Sequence, residues 1–289
     1  MRMVGECYGC ALRQALSAAR LVCSEESLQV EVLRRAASVL AGAEAGLTPP
    51  EVGEKIYRIV REATGNPDPF KEQKRLQNEN VISILPRIRR IVSEAKDPLL
   101  MALRLAAAGN AIDTGAQESY DLEESIIEAV RSGGKFETYE QFRLSFERAK
   151  DALVIADNCG EIVFDKVLIE TMLQEKVKPE FKIYLAVRGG PIINDVTLEE
   201  AEDLGLSKVC EIVPTGMEMP GTILNRCDPV FLRLFESVDL VISKGQGNWE
   251  TLEDVDREIY FLFQAKCETV ARANNCKIGE LLMVRGGRD

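Results

Sequence analysis

Histidine is absent from this sequence of 289 residues. That removes the side chain most used for proton transfer near neutral pH, and one of the two usual zinc ligands. No apolar run approaches the length needed to span a bilayer. The amino terminus lacks a basic-then-apolar signal pattern, because acidic and polar residues interrupt it early. A cytoplasmic protein with no membrane partner is expected. Also missing is the basic stripe of a nucleic-acid binder, since the net charge is −11. "PRIRRIV" (86–92) is the nearest approach, and a solvated helix face accounts for it.

Eight cysteines are present, but only Cys7 and Cys10 are close, as "CYGC". A disulfide framework is not expected in a cytosolic chain of this size. A structural zinc site without histidine would need a second C-x-x-C, and there is none. A buried thiol pair near a helix start, a redox pair and a metal-binding pair all remain open for Cys7 and Cys10.

What is present divides in two. Residues 1–150 carry 21 basic and 22 acidic side chains, while residues 151–289 carry 15 and 25. The first half shows apolar residues at three- and four-residue spacing, as in "CALRQALSAARLV" (10–22) and "PPEVGEKIYRIVREATG" (49–65). Thr48 is placed to cap the latter, Pro49 to open it and Gly65 to stop it. "NPDPF" (66–70) marks a break, and Pro86 a kink or boundary within 71–95. From residue 151, short β-branched runs alternate with amphipathic helices: "ALVIAD", "KIYLAVR", "VCEIVP", "DLVISKG", "IYFLFQA" and "GELLMV". Such runs predict a mostly parallel sheet covered on both faces. The expected fold class is therefore α/β. An all-helical region, 1–148, precedes a domain over 149–289.

In an open parallel sheet, ligands sit beyond the carboxyl ends of the strands. The first predicted strand ends on Asp157-Asn158, the second on Arg188-Gly189-Gly190 with Asn194-Asp195 close behind. The third ends on Pro214-Thr215-Gly216, and the fourth on Lys244-Gly245-Gln246-Gly247-Asn248. A helix N-cap accounts for Asp157 or Asn158 taken singly, and a turn for the glycines. Neither G-x-G-x-x-G nor a Walker A spacing occurs. Two carboxylates and an amide at one sheet edge are hard oxygen donors suited to Mg²⁺ or Mn²⁺. Lys244 and Arg188 would offset phosphate charge, and the glycine turns would let backbone N–H groups approach.

With "CYGC", "NPDPFKEQK", "AAAGNAID", "ADNCGE", "RGGPIINDVT" and "SKGQGNWE" together, the chain resembles the metal-dependent damage-control phosphatase family. Within it the similarity is to the subfamily with an N-terminal C-x-x-C. The resemblance implies a Rossmann-like α/β/α domain behind a helical region, and a divalent ion held by Asp157, Asn158 and Asp195. It places Asn110 and Asp113 in the pocket wall and Lys244 on phosphate; Arg188, Gly245 and Asn248 are expected beside the substrate as well. The implied activity is hydrolysis of small phosphorylated metabolites, sugar phosphates or damaged by-products, by a metal-activated water. Manganese or magnesium is the expected metal, with nickel or cobalt as alternatives. An aspartyl-phosphate route through Asp157 is a variant. Rival readings are a Rossmann-like methyltransferase, a nucleotide-dependent oxidoreductase, or a thiol or metal sensor built on Cys7 and Cys10.

Overall fold

The computed structural model describes residues 1–109, 124, 126–128, 130–131, 133–176 and 180–287. Helices come first: α1 (Gly5–Val22), α2 (Glu26–Ala41), α3 (Pro49–Thr64), α4 (Lys71–Ser93), α5 (Pro98–Gly109) and α6 (Tyr139–Arg148). α1, α2 and α3 bury small residues of α1 (Ala15, Ala19) against Val32, Ala36, Ile56 and Val60. α3 starts where its chemistry dictates. Thr48 and Glu51 form a reciprocal capping box, Pro49 stands at N1, and Gly65 ends the helix at φ 65°.

Pro86 is neither a boundary nor an end, because α4 runs on through it to Ser93. The missing N–H would have bonded Ile82, which is exposed, so water can serve the freed carbonyl. Ile84, Ile88 and Val92 continue the buried stripe across that point.

The second half alternates strand and helix: β1 (Asp151–Ile155), α7 (Glu161–Glu175), β2 (Lys182–Val187), α8 (Leu198–Asp203), β3 (Glu211–Pro214), α9 (Pro229–Ser237), β4 (Leu240–Lys244), α10 (Gln246–Leu252), β5 (Ile259–Gln264), α11 (Glu268–Ala273) and β6 (Leu281–Gly286). The sheet order is β3-β2-β1-β4-β5-β6. β1 to β5 are parallel and β6 is antiparallel to β5. Alternate residues of each strand face opposite ways. Val154, Leu185, Ile242 and Leu262 pack under α4 to α7, whereas Leu153, Val241, Phe261 and Phe263 pack under α9, α10 and α11. α7 lies between sheet and helices, which is why nearly all its faces are apolar. Its Phe164 fits against Gly109 of α5 so closely that an added Cβ would meet the ring at 2.7 Å.

The order reverses between β1 and β4, so a crevice opens at their carboxyl ends. α3 closes this edge from above: Gly53 lies under Pro220, and Arg61 donates to the Pro191 carbonyl and to Glu218. Among the described residues, no helix is long and apolar enough to cross a membrane.

Candidate active site

Asp157 leaves the tip of β1 and is buried. The loop after β2 folds back across it, so that Asn158 and Asp195 pair as an isolated antiparallel bridge. The Val196 N–H donates to the Asp157 carbonyl at 2.9 Å, and the Cys159 N–H to that of Asn194 at 2.8 Å. The return is tight: Ile193, a β-branched residue, is held at φ 45°. Two carboxylates some forty residues apart are thereby brought to one spot.

Arg188 joins them from beneath. Its Nε donates to Asp195 Oδ2 at 2.6 Å, and its Nη2 reaches Asp157 Oδ1 at 3.5 Å. Its Nη1 donates to the Gly221 carbonyl, Thr222 Oγ1 and Asn248 Oδ1. Burial pushes the Asp157 carboxyl up to about 7, with Asp195 and Glu161 adding to it and Arg188 pulling it back. Asp195 is raised as well, burial again leading and Arg188 opposing. One guanidinium does not neutralise so much concentrated negative charge.

Gly245, at φ 80°, makes the room. A Cβ there would lie 1.9 Å from Asp157 Oδ2, so no side chain is compatible with this carboxylate position. Asn158 donates its amide N–H to Asp157 Oδ2 at 2.6 Å and to Glu161 Oε2 at 3.4 Å. Glu161 is in turn bound by Lys244, whose ammonium also donates to Asp165 Oδ1 at 2.7 Å and to the Ala106 carbonyl at 2.9 Å. Burial works against the Lys244 ammonium, but Asp165 and Glu161 outweigh it and hold its pKa above the usual range.

Above Asp157, Asn158 and Asp195 opens a cleft of about 290 Å³. Its walls come from α1 (Cys7, Cys10), α3 (Pro50, Tyr57), α10 (Gln246, Glu250) and the loop after β5 (Lys266, Cys267). The donors fit a hard divalent cation: two carboxylates, an amide, surplus buried negative charge, and a cradle that a Cβ would fill. Among the described residues no three Cys, Asp or Glu side chains form a metal-holding group, and the Asn158 amide is the polar side chain next to the two carboxylates.

The other residues singled out in the sequence are placed differently. Lys244, Arg188 and Asn248 are fully or almost fully buried below the cleft floor. Asn248 is saturated, donating to the Ala156 and Lys244 carbonyls and accepting from Thr222 and Arg188. Asn110 and Asp113 lie outside the described residues. Lys266, exposed at the cleft rim, is the cation that the sequence did not bring forward. It stands at a fifth strand tip, "FQAKC", which has no glycine turn or acid to mark it. The tip's position on the same sheet edge is the one available signal.

A model of the damage-control phosphatase ARMT1-like domain matches residues 3–282. The chain belongs to this family. A damage-control phosphatase of Pyrococcus horikoshii is 31% identical over 288 residues, covering 99% of this chain and 98% of the relative. A damage-control phosphatase of Archaeoglobus fulgidus is 30% identical over 292 residues, covering 98% of each. An uncharacterised protein of Methanocaldococcus jannaschii is 31% identical over 290 residues, covering 97% of this chain and 94% of the relative. The crystal structure of a DUF89 family protein from Pyrococcus horikoshii superposes with a TM-score of 0.91 at 31% identity, covering 99% of both chains. Family membership thus extends along the whole fold, cleft included.

Proposed function

We propose that this chain is a divalent-metal-dependent phosphatase of small phosphorylated metabolites. The observation that carries it is the pair of buried carboxylates, Asp157 and Asp195, beside Asn158 on the floor of a cleft with a lysine at its rim. The names of two relatives support the phosphatase activity. A cleft of about 290 Å³ is at the lower end for small-molecule sites, roughly 300–1,000 Å³. That size favours a metabolite over a macromolecular substrate.

In this reading Asp157, Asn158 and Asp195 hold the cation, Mn²⁺ or Mg²⁺ by donor type, with Ni²⁺ or Co²⁺ as alternatives. Once bound, it would supply Lewis-acid polarisation of the phosphoryl oxygens and acidify an attacking water. Arg188 orients both carboxylates from below. Glu161, held by Lys244, accepts the Asn158 amide N–H, which leaves the amide oxygen as the donor to a cation. Lys266 attracts the phosphate and balances its charge. The strand order supports a Rossmann-like catalytic domain over 149–289 behind an all-helical region, 1–148. Eight free thiols are in keeping with a reducing, cytoplasmic setting.

The test is a panel of small phosphate esters, assayed on metal-stripped protein with Mn²⁺, Mg²⁺, Co²⁺ or Ni²⁺ added back. Hydrolysis should need the added metal and vanish in Asp157→Ala and Asp195→Ala while circular dichroism stays native. Undiminished turnover with chelator present, or in either variant, would refute the proposal.

A further inference from the structure

The C-x-x-C has no part in the proposed hydrolysis, yet the fold brings it to the cleft. Cys7 and Cys10 lie in the first turns of α1, three residues apart and so on one face. Both line the cleft that has Asp157 on its floor, and a third thiol, Cys267, enters the same wall from the loop after β5. All three are free. Cys7 is buried and Cys10 half-buried. Gln14 Nε2 lies 3.7 Å from Cys10 Sγ, and Gln246 Nε2 lies 3.9 Å from Cys267 Sγ. No three Cys, Asp or Glu side chains among the described residues are placed to share a metal ion, so the thiols are not a ready-made metal site.

We propose that Cys7 and Cys10 form a redox-modification site in the cleft wall, which a peroxide converts to a disulfide and which thereby controls access to Asp157 and Asp195. In a regular helix, Cβ atoms three residues apart are about 5–6 Å from each other. A disulfide needs about 3.5–4.5 Å. The first turn of α1 must therefore tighten by about 1–2 Å. It can do so because Cys7 is the third residue of the helix: its N–H donates to the Val4 carbonyl at 2.9 Å, a three-residue turn bond outside the regular helical ladder, so tightening breaks no ladder bond at Cys7. The segment just ahead of the two thiols is tied to the cleft wall at two points. The Met1 ammonium pairs with Glu253 at 2.6 Å, and the Thr269 hydroxyl donates to Glu6 at 2.8 Å. A change within the turn is thus transmitted to the cleft mouth instead of being lost at a loose end.

The order of events follows from exposure. Burial raises both thiols above their ordinary pKa, opposed at Cys7 by the Val4 backbone and at Cys10 by Arg13, so the difference between them is that Cys7 is buried and Cys10 only half-buried. Cys10 reacts first. Its thiolate attacks one peroxide oxygen, the O–O bond breaks, and a Cys10 sulfenic acid forms as hydroxide leaves and takes up the thiol's proton to give water. The Cys7 sulfur then attacks the Cys10 sulfur, the S–O bond breaks, and the hydroxyl departs with the Cys7 proton as a second water. Two thiols lose two electrons, and one peroxide becomes two waters.

Full-length protein is treated with hydrogen peroxide, digested under alkylation and mapped by mass spectrometry. Hydrogen exchange and turnover of a small phosphate ester are then compared with those of the reduced form. The expected result is a Cys7–Cys10 linkage, altered exchange in peptides covering 5–14 and 264–270, and at least a five-fold fall in turnover reversed by dithiothreitol. Cys10→Ser and Cys7→Ser should each lose the response relative to their own reduced rate. No linkage, a linkage through Cys267, or a linkage that leaves exchange unchanged would overturn the proposal. The turnover arm rests on the phosphatase reading; if reduced protein hydrolyses no ester, that reading fails, while mapping and exchange still decide the thiol site.

Discussion

At the scale of single residues, Lys244 and Lys266 show how position in a sequence and position in a protein part company. Lys244 stands in a glycine-rich turn, but its ammonium is engaged by Glu161, Asp165 and the Ala106 carbonyl with no surface exposed. Lys266 has an unremarkable setting in the sequence and reaches the cleft. Lys266→Ala should raise KM for a phosphate ester about ten-fold, roughly 1.4 kcal/mol, with little change in melting temperature. Lys244→Ala should instead destabilise the fold, because two carboxyls are left buried without their cation, a loss on the order of 3–5 kcal/mol. Parallel KM and Tm measurements separate the two, and equal effects would contradict this division. Glu250 offers a second residue-scale prediction. Burial pushes its carboxyl up to about 7, with Gln246 and the N-terminal ammonium opposing. In an unfolded chain it would ionise near ~4.3. The folded state keeps the proton longer, so this contribution to stability is whole below about pH 4 and is lost as pH rises toward 7. Glu250→Gln should therefore melt with the parent at pH 4 and above it at pH 8; matching curves at both would refute the account.

At the scale of elements, one buried ion pair fixes how α4 meets α8. Lys74 of α4 is 1% exposed and pairs with Asp68 at 2.7 Å and with Glu200 at 2.5 Å. Burial alone would raise the Glu200 carboxyl, but hydrogen bonds from Lys74 and Thr197 outweigh it and hold its pKa low. At the very next position, on another face of the helix, Arg75 binds Glu72 and Glu79 in the open, with half its side chain exposed. Lys74→Ala should lower the denaturation midpoint strongly, by about 3–5 kcal/mol in stability. Arg75→Ala should cost less than about 1 kcal/mol. Chemical denaturation of both checks the contrast. Caps and periodicity were readable at this scale, as Thr48 and Gly65 show, because they depend on neighbours three or four residues off. That Pro86 does not bound its helix was not readable, for the converse reason: whether a helix continues through a proline depends on the packing of Ile84 and Ile88, which is tertiary.

At the scale of the whole molecule, the cleft is assembled from α1, α3, the tip of β1, the loop after β2, α10 and the loop after β5. On the proposed reading, a cation seated there would tie these segments together only in the folded state. Mn²⁺ at about 100 times its dissociation constant should therefore add about 2.7 kcal/mol. Melting temperature should rise with Mn²⁺ in the parent and stay flat in Asp157→Ala and Asp195→Ala. A parent indifferent to Mn²⁺, Mg²⁺, Co²⁺ and Ni²⁺ alike would remove the metal from the account. Four acidic residues of the second half, Asp157, Glu161, Asp165 and Asp195, are buried together at and beneath the cleft floor with Arg188 and Lys244.

The sequence by itself determined the succession of helices and strands, the caps, and the pairing of Asp157 with Asn158 at a strand tip. Each of these is set by the backbone and by neighbours a few residues away. Only the tertiary structure decided that Lys244 is withdrawn and Lys266 presented, and that the C-x-x-C faces the same cleft as Asp157. A side chain's hydration and partners depend on what folds over it. For Lys244 that includes the Ala106 carbonyl, 138 residues distant, and for Glu6 it is Thr269, 263 residues distant.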